Sequence, residues 1–125
     1  MEMKVLLSIK PEYAKLIFNQ SKKYEFRRVI FKNQKVKTVL VYASSPVKGI
    51  IGEFEIDSII SNAPDLLWEQ TKYQSGIKKN KFFKYFANKE IGFAIKIKSV
   101  NQYQELLCPR ENFSVFPPQS FCYLR

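Results

Sequence analysis

A chain of 125 residues is long enough for one hydrophobic core and too short for two ordinary domains, so residues 1–125 are expected to form a single domain. Its 46% apolar and 15% aromatic content excludes disorder, and a formal charge of +10, with eleven Lys or Arg against three Glu in residues 1–48, points to a polyanionic partner. The absence of histidine excludes Ser-His-Asp, Cys-His and His-dependent nuclease chemistry, and two cysteines alone exclude the usual four-ligand zinc site within one chain.

Residues 5–9 form an apolar run that predicts a buried strand, with Ser8 as its small polar member. Pro11 suits the first turn of a helix, where its missing N–H costs nothing. Tyr13, Leu16, Ile17 and Phe18 then give an apolar stripe at helical spacing over residues 12–19. Asn19, Gln20 and Ser21 mark the exit, and residues 24–28 predict a strand. Side chains alternate along a strand, so Glu25 and Arg27 share one face while Tyr24, Phe26 and Arg28 share the other. Lys22, Lys23, Arg27 and Arg28 surround Glu25, and Lys22 stands at the turn before it. A carboxylate, a guanidinium and an ammonium at this spacing can grip an anion, set up an acid or a base, or hold the turn together.

Residues 36–43 predict a strand, residues 44–47 a turn, and residues 49–60 a half-buried strand whose Glu53, Glu55 and Asp57 form an acidic outer face. Residues 64–74 read as a helix carrying Leu66, Leu67 and Trp68, and residues 79–86 as a second one with Phe82, Phe83 and Phe86 on one side. Residues 92–100 alternate again as a strand. The tail, with Pro109, Pro117 and Pro118, is expected to be mostly irregular with one last short strand. Trp68, Tyr73, Phe82, Phe83 and Tyr85 alternate with Lys72, Lys78, Lys79, Lys81 and Lys84. Stacking platforms flanked by cations read this way, and so do amphipathic helices; we expect Trp68, Phe82 and Phe83 to pack inward and the lysines to form a binding face. Cys108 and Cys122 sit in apolar settings and are expected to be buried small hydrophobes. No apolar run reaches the length of a signal core or membrane span, and no Gly-rich phosphate loop occurs, so the expectation is a cytoplasmic protein that needs no membrane, metal or other cofactor. Alternating strands with helices inserted singly suggest an α+β, mainly β, fold: a small mixed barrel with helices over its openings.

The segment Lys22-x-x-Glu25-x-Arg27, entering a strand after the first helix, resembles the signature of the ASCH domain family, whose preceding glycine position holds Gln20 here. Lys10-Pro11, Tyr42-Ala43-Ser44-Ser45-Pro46-Val47 leading into Gly52-Glu53-Phe54, and Pro117-Pro118-Gln119-Ser120-Phe121 are similar as well, so the likeness spans nearly the whole chain. The resemblance implies a PUA-like pseudo-barrel of five or six mixed strands with helices capping its ends. It also implies a module that binds RNA or a modified nucleotide, regulatory roles included. One bacterial branch instead hydrolyses the N4-acetyl group of acetylated cytidine, using the signature lysine, a hydroxyl residue in the motif and a distant glutamate. In this chain Glu25 occupies the hydroxyl position, and Glu53, Glu69 and Glu90 are candidates for the glutamate.

These readings converge on a basic cleft formed by Lys10, Lys22, Glu25, Arg27, Tyr42, Ser44, Ser45 and Pro46, taking RNA or a nucleotide-like anion. Lys22 contacts a phosphate or acts as a base. The cations around Glu25 favour an orienting role over proton donation, and Arg27 offers a planar fork to a ligand or to an internal ion pair. Should the chain be an enzyme, Lys22 and Glu25 are the catalytic candidates of a metal-independent amidohydrolase acting on an acylated nucleoside such as N4-acetylcytidine.

Overall fold

The computed structural model describes residues 3–124. The chain runs β1 (Met3–Ile9), α1 (Pro11–Phe18), β2 (Tyr24–Arg27), β3 (Val36–Ala43), β4 (Gly49–Asn62) and α2 (Pro64–Thr71). A single 3₁₀ turn (Lys72–Gln74), α3 (Lys79–Tyr85), β5 (Gly92–Leu107), α4 (Pro109–Phe113) and β6 (Phe121–Leu124) complete it. All six strands belong to one mixed sheet in the order β2-β5-β4-β3-β1-β6. Only β1 and β3 are parallel, with Ser8 opposite Tyr42 and Ile9 opposite Ala43, because α1 and β2 supply the crossover a parallel pair needs. The C-terminal ends of these two strands therefore lie side by side.

The long β4–β5 ladder breaks register at Glu55/Ile56 and again at Ile56/Ser58, and such irregularities bend and twist a sheet. The bend brings its two edges together. The Tyr123 hydroxyl of β6 accepts from the backbone N–H groups of Lys32 and Asn33, in the segment that follows β2, and Phe31 meets Phe121 edge-on at 6.0 Å. Among the described residues β2 and β6 do not pair through backbone, so the expected pseudo-barrel is an incompletely closed one whose seam is made by side chains.

Three apolar clusters fill the structure. Val5, Leu7, Ile17, Val41, Phe54 and Ile95 form the largest, inside the curl and under α1. Phe26, Leu67, Phe82, Phe86 and Ala94 join α2 and α3 to β2 and β5. Leu6, Leu40, Ile50 and Leu124 are covered by Phe113 and Val115. Fully burying each such side chain contributes roughly 1.5–3 kcal/mol. Gly52 is required by this packing, since a Cβ there would lie 2.7 Å from the Phe18 ring and 2.6 Å from the Asn101 carbonyl.

Three elements and the two cysteines depart from the sequence expectation. β5 runs through Leu107, because residues 101–107 are held by pairing with β4 (Gln102 opposite Gly52, Leu107 opposite Ile50) while remaining mostly exposed; hydropathy gives no sign of such a strand. The helix expected over residues 64–74 closes at Thr71 and tightens into the 3₁₀ turn. Pro109–Phe113 is a short helix where irregular chain was expected, opened by Pro109 at its first turn. Cys108 is exposed and Cys122 half-buried, so neither is the buried hydrophobe expected; Cys108 stands at the N-cap of α4, where the chain leaves the sheet. Trp68, Phe82 and Phe83 do pack together, with ring centroids 5.0–6.2 Å apart, whereas Tyr73 is 91% exposed. No helix among the described residues is long and apolar enough to cross a membrane.

Candidate functional site

A cleft of about 900 Å³ opens where the C-terminal ends of β1 and β3 meet residues 25–27 of β2. Lys10, Lys22, Glu25 and Arg27 line it, and so do Tyr42, Ser44 and Ser45. Pro46, which follows a cis peptide bond, does not. Several further lining residues escaped the sequence reading. Tyr13 and Glu12 belong to α1, and periodicity assigns Tyr13 to the core without telling which flank of an apolar stripe borders a cavity. Lys48 follows the predicted turn, and Pro117, Pro118 and Gln119 form a strap across one side. Lys81, Lys84 and Tyr85 reach the cleft from α3, so this part of the predicted lysine face is shared with the motif residues. Glu53, Glu69 and Glu90 do not line it. Glu53 instead accepts from the Tyr103 hydroxyl at 2.6 Å, and Glu69 pairs with Lys72.

The basic turn before β2 folds as it does because Gln20, two residues beyond the end of α1, stands at φ +68, in the left-handed region. That conformation is the physical reason for a glycine at the corresponding signature position. The chain then turns back, with the Lys22 N–H donating to the Leu16 carbonyl at 3.0 Å and the Lys23 N–H to Gln74 at 2.9 Å. Lys22 is thereby only 2% exposed. Its Nζ donates to the Ser75 carbonyl at 2.6 Å and lies 4.6 Å from the Phe26 ring centroid and 5.3 Å from that of Tyr13. Burial lowers the Lys22 pKa to about 8, against the partly compensating field of Glu25. Neutral amine is then about a tenth of the population near pH 7, far more than for a solvated lysine.

Glu25 and Arg27 do share a face, as alternation requires, and pair at 3.1 Å while both are almost wholly buried. The second contact of Arg27 Nη1 is the Ser8 carbonyl at 3.3 Å, and Nη2 donates to the Ser120 carbonyl at 3.1 Å and its hydroxyl at 3.0 Å. Four of the five guanidinium N–H bonds are thus committed to protein acceptors. Arg27 joins β2, β1 and the residue preceding β6, which is the side-chain seam of the open barrel beneath the cleft. The strap is secured beside it by the Ser8 hydroxyl, which donates to the Pro118 carbonyl. Tyr85 closes the α3 side: its hydroxyl donates to the Phe26 carbonyl and accepts from the Arg28 N–H, both at 3.2 Å, and burial raises its pKa.

The site therefore has a buried floor of Lys22, Glu25, Phe26 and Arg27 and a rim of exposed Lys10, Lys48, Lys81 and Lys84. Exposed cations at the mouth can neutralise an incoming polyanion, and a desolvated amine beside aromatic faces can act on a group carried to the floor.

The family model described as Domain of unknown function (DUF365) matches residues 3–116. Large ribosomal subunit protein uL22 of Ureaplasma parvum serovar 3 is 30% identical over 125 residues, covering 97% of this chain and 39% of that one. The chain thus spans about two fifths of the length of that relative. An ASCH domain-containing ribonuclease of Zymomonas mobilis subsp. mobilis is 29% identical over 128 residues, covering 96% of this chain and 83% of that one. The crystal structure of ASCH from Zymomonas mobilis superposes with a TM-score of 0.88 at 25% identity, covering 98% of this chain and 87% of that one.

Proposed function

This chain belongs to the ASCH domain family and to the family described as Domain of unknown function (DUF365), and from that membership we propose that its cleft binds RNA, seating one nucleotide on the floor. The observation that carries this reading is the convergence of Lys10, Lys22, Lys48, Lys81 and Lys84 from separate segments on one cleft that also presents Tyr13, Phe26, Tyr42 and Tyr85. Rim cations take phosphates, aromatic faces take the base, and the hydroxyls of Ser44 and Ser45 serve the sugar or base edge. The volume suits a nucleotide-sized ligand. Arg27 acts here as a positioning residue, because its donors are spent on Glu25, Ser8 and Ser120. A relative named as a ribonuclease is consistent with an RNA ligand.

Fluorescence anisotropy of short labelled oligoribonucleotides at several salt concentrations tests the reading. Affinity should fall with salt at a log–log slope of about −0.7 per phosphate neutralised, and Lys22→Ala should weaken binding. Salt-independent binding, or none to any RNA offered, defeats it.

The lowered pKa of Lys22 favours a second reading, in which the cleft cleaves what it binds, by transesterification or hydrolysis, and neutral Lys22 takes a proton from the attacking hydroxyl or water. Two substrates fit that role. A ribose 2′-hydroxyl attacking its own phosphodiester gives a 2′,3′-cyclic phosphate and a freed 5′-hydroxyl. Water attacking N4-acetylcytidine gives cytidine and acetate. Product analysis by mass spectrometry with both substrates decides, and products that persist undiminished in Lys22→Ala count against Lys22 as the base.

A further inference from the structure

We propose that the Ser75–Gly76 turn, between the 3₁₀ turn and α3, sets the position of the Lys22 ammonium, so that Ser75 and Gly76 are positioning residues of the site without lining its cleft. The inference rests on the reading above that Lys22 serves the ligand, and its support comes from packing alone.

Gly76 has φ +68, and a Cβ built on it would stand 2.5 Å from both Cβ and Cγ of Lys22 and 2.9 Å from Cδ. The stem of the lysine therefore lies directly across bare backbone. The atoms met are the stiff near end of the side chain, so any substituent at 76 must displace the lysine or the turn. One residue earlier, the Ser75 carbonyl receives the ammonium at 2.6 Å. Ser75 is itself buried, and its one hydroxyl proton has the Ile77 carbonyl at 3.1 Å and the Lys72 carbonyl at 3.3 Å as alternative acceptors, while its oxygen accepts from the Ile77 N–H at 3.4 Å. The turn is thus locked internally before it meets Lys22. The Lys23 N–H bond to Gln74 ties the two segments together on the other side.

Stem and head of Lys22 are consequently fixed by a segment 53 residues away, which belongs to the connection between β4 and β5. Without that turn Lys22 would lose the carbonyl that receives its ammonium and the backbone that covers its stem. The charged and titratable groups that line the cleft with Lys22 are Glu25 and Arg27 on β2, Lys10 before α1, Glu12 and Tyr13 on α1, Tyr42 on β3, Lys48 before β4, and Lys81, Lys84 and Tyr85 on α3; of these Glu25 is the one whose field acts on it. Desolvation outweighs the field of Glu25 in lowering the lysine, and the turn supplies part of that desolvation.

The test is an NMR titration of the full chain carrying ¹³Cε-labelled lysine, from pH 6 to 11, with the Lys22 resonance identified by its loss in Lys22→Arg. The unsubstituted chain should titrate near 8. Gly76→Ala and Gly76→Asn should move the midpoint toward the ordinary 10.5; Asn tolerates the left-handed backbone, so an effect common to both belongs to the added Cβ. Ser75→Ala keeps the carbonyl and unlocks only the turn, so its rise should be smaller. An unsubstituted midpoint near 10.5, or midpoints unmoved in the folded variants, overturns the proposal. Where both Gly76 variants fail to fold, an unmoved midpoint in Ser75→Ala overturns it. Measuring RNA affinity on the same samples separates the two ideas: a moved midpoint with unchanged affinity upholds the positioning role and removes Lys22 from RNA binding.

Discussion

The ammonium of Lys22 lies over the Phe26 ring, 4.6 Å from its centroid, although the lysine is almost entirely withdrawn from water. A desolvated cation on an aromatic face gains about 2 kcal/mol, and the hydrogen bond to Ser75 adds to that. These contacts offset only part of the desolvation, as the lowered pKa records. The fold thus holds at the floor of its cleft a group that weakens it, a pattern that clusters at functional sites and singles out Lys22 as the residue to test.

Lys22→Met should stabilise the chain at neutral pH and lower its affinity for RNA. The folded Lys22 pKa, about 8, lies below the ordinary 10.5, so between these values the unfolded chain binds more protons. Stability due to this residue is therefore fully present above about pH 10.5 and lost as pH falls through 8, a difference on the order of 3 kcal/mol. Urea denaturation at pH 7 and pH 10 should show the gap between Lys22→Met and the unsubstituted chain narrowing at the higher pH. A constant gap would mean that Lys22 is not buried as a cation.

Arg27→Lys should lower stability by about 3 kcal/mol or more, because one ammonium cannot reproduce a fork that holds Glu25, Ser8 and Ser120 at once. The loss should be local as well as global. Amide hydrogen exchange in residues 117–124 should accelerate more than in β3 or β4, since the seam between β2 and β6 is made of side chains. Uniform acceleration across the sheet would contradict the clamp.

Lys48→Ala and Lys84→Ala should leave the thermal midpoint within a degree or two and weaken RNA binding, each reducing the salt slope by about 0.7 if it neutralises one phosphate. Lys98→Ala, an exposed lysine that does not line the cleft, should change neither. Equal losses from all three would indicate a diffuse field rather than a site.

Gln20→Gly should stabilise the chain by up to about 1 kcal/mol, because Gln20 stands at φ +68 where an L side chain is strained. The entropy a glycine adds to the unfolded state limits the gain. An unchanged or lower urea midpoint would show that the Gln20 side chain makes compensating contacts.

Much of the site was legible in the sequence because it is local. The alternation that pairs Glu25 with Arg27 follows from strand geometry, and seven of the eight residues expected to form the cleft, all drawn from the short segments of family likeness, do line it. The strands of the main core announced themselves by apolar runs at Val5–Leu7 and Val39–Val41. Residues 101–107 did not, since a polar strand is held by its neighbour's backbone and carries no pattern of its own.

Sequence by itself determined which side chains stand on each face of β2, where the positive charge accumulates, and that a mixed fold of short helices and strands would carry it. Those properties depend on residues within a few positions of one another. Only the tertiary structure decided that Lys22 is buried, that Arg27 is consumed by Ser8 and Ser120, and that α3 and the Pro117–Gln119 strap complete the cleft. Each of these contacts joins segments far apart in the chain, and their distances are fixed by the curl of a sheet whose bends occur where β4 and β5 lose register.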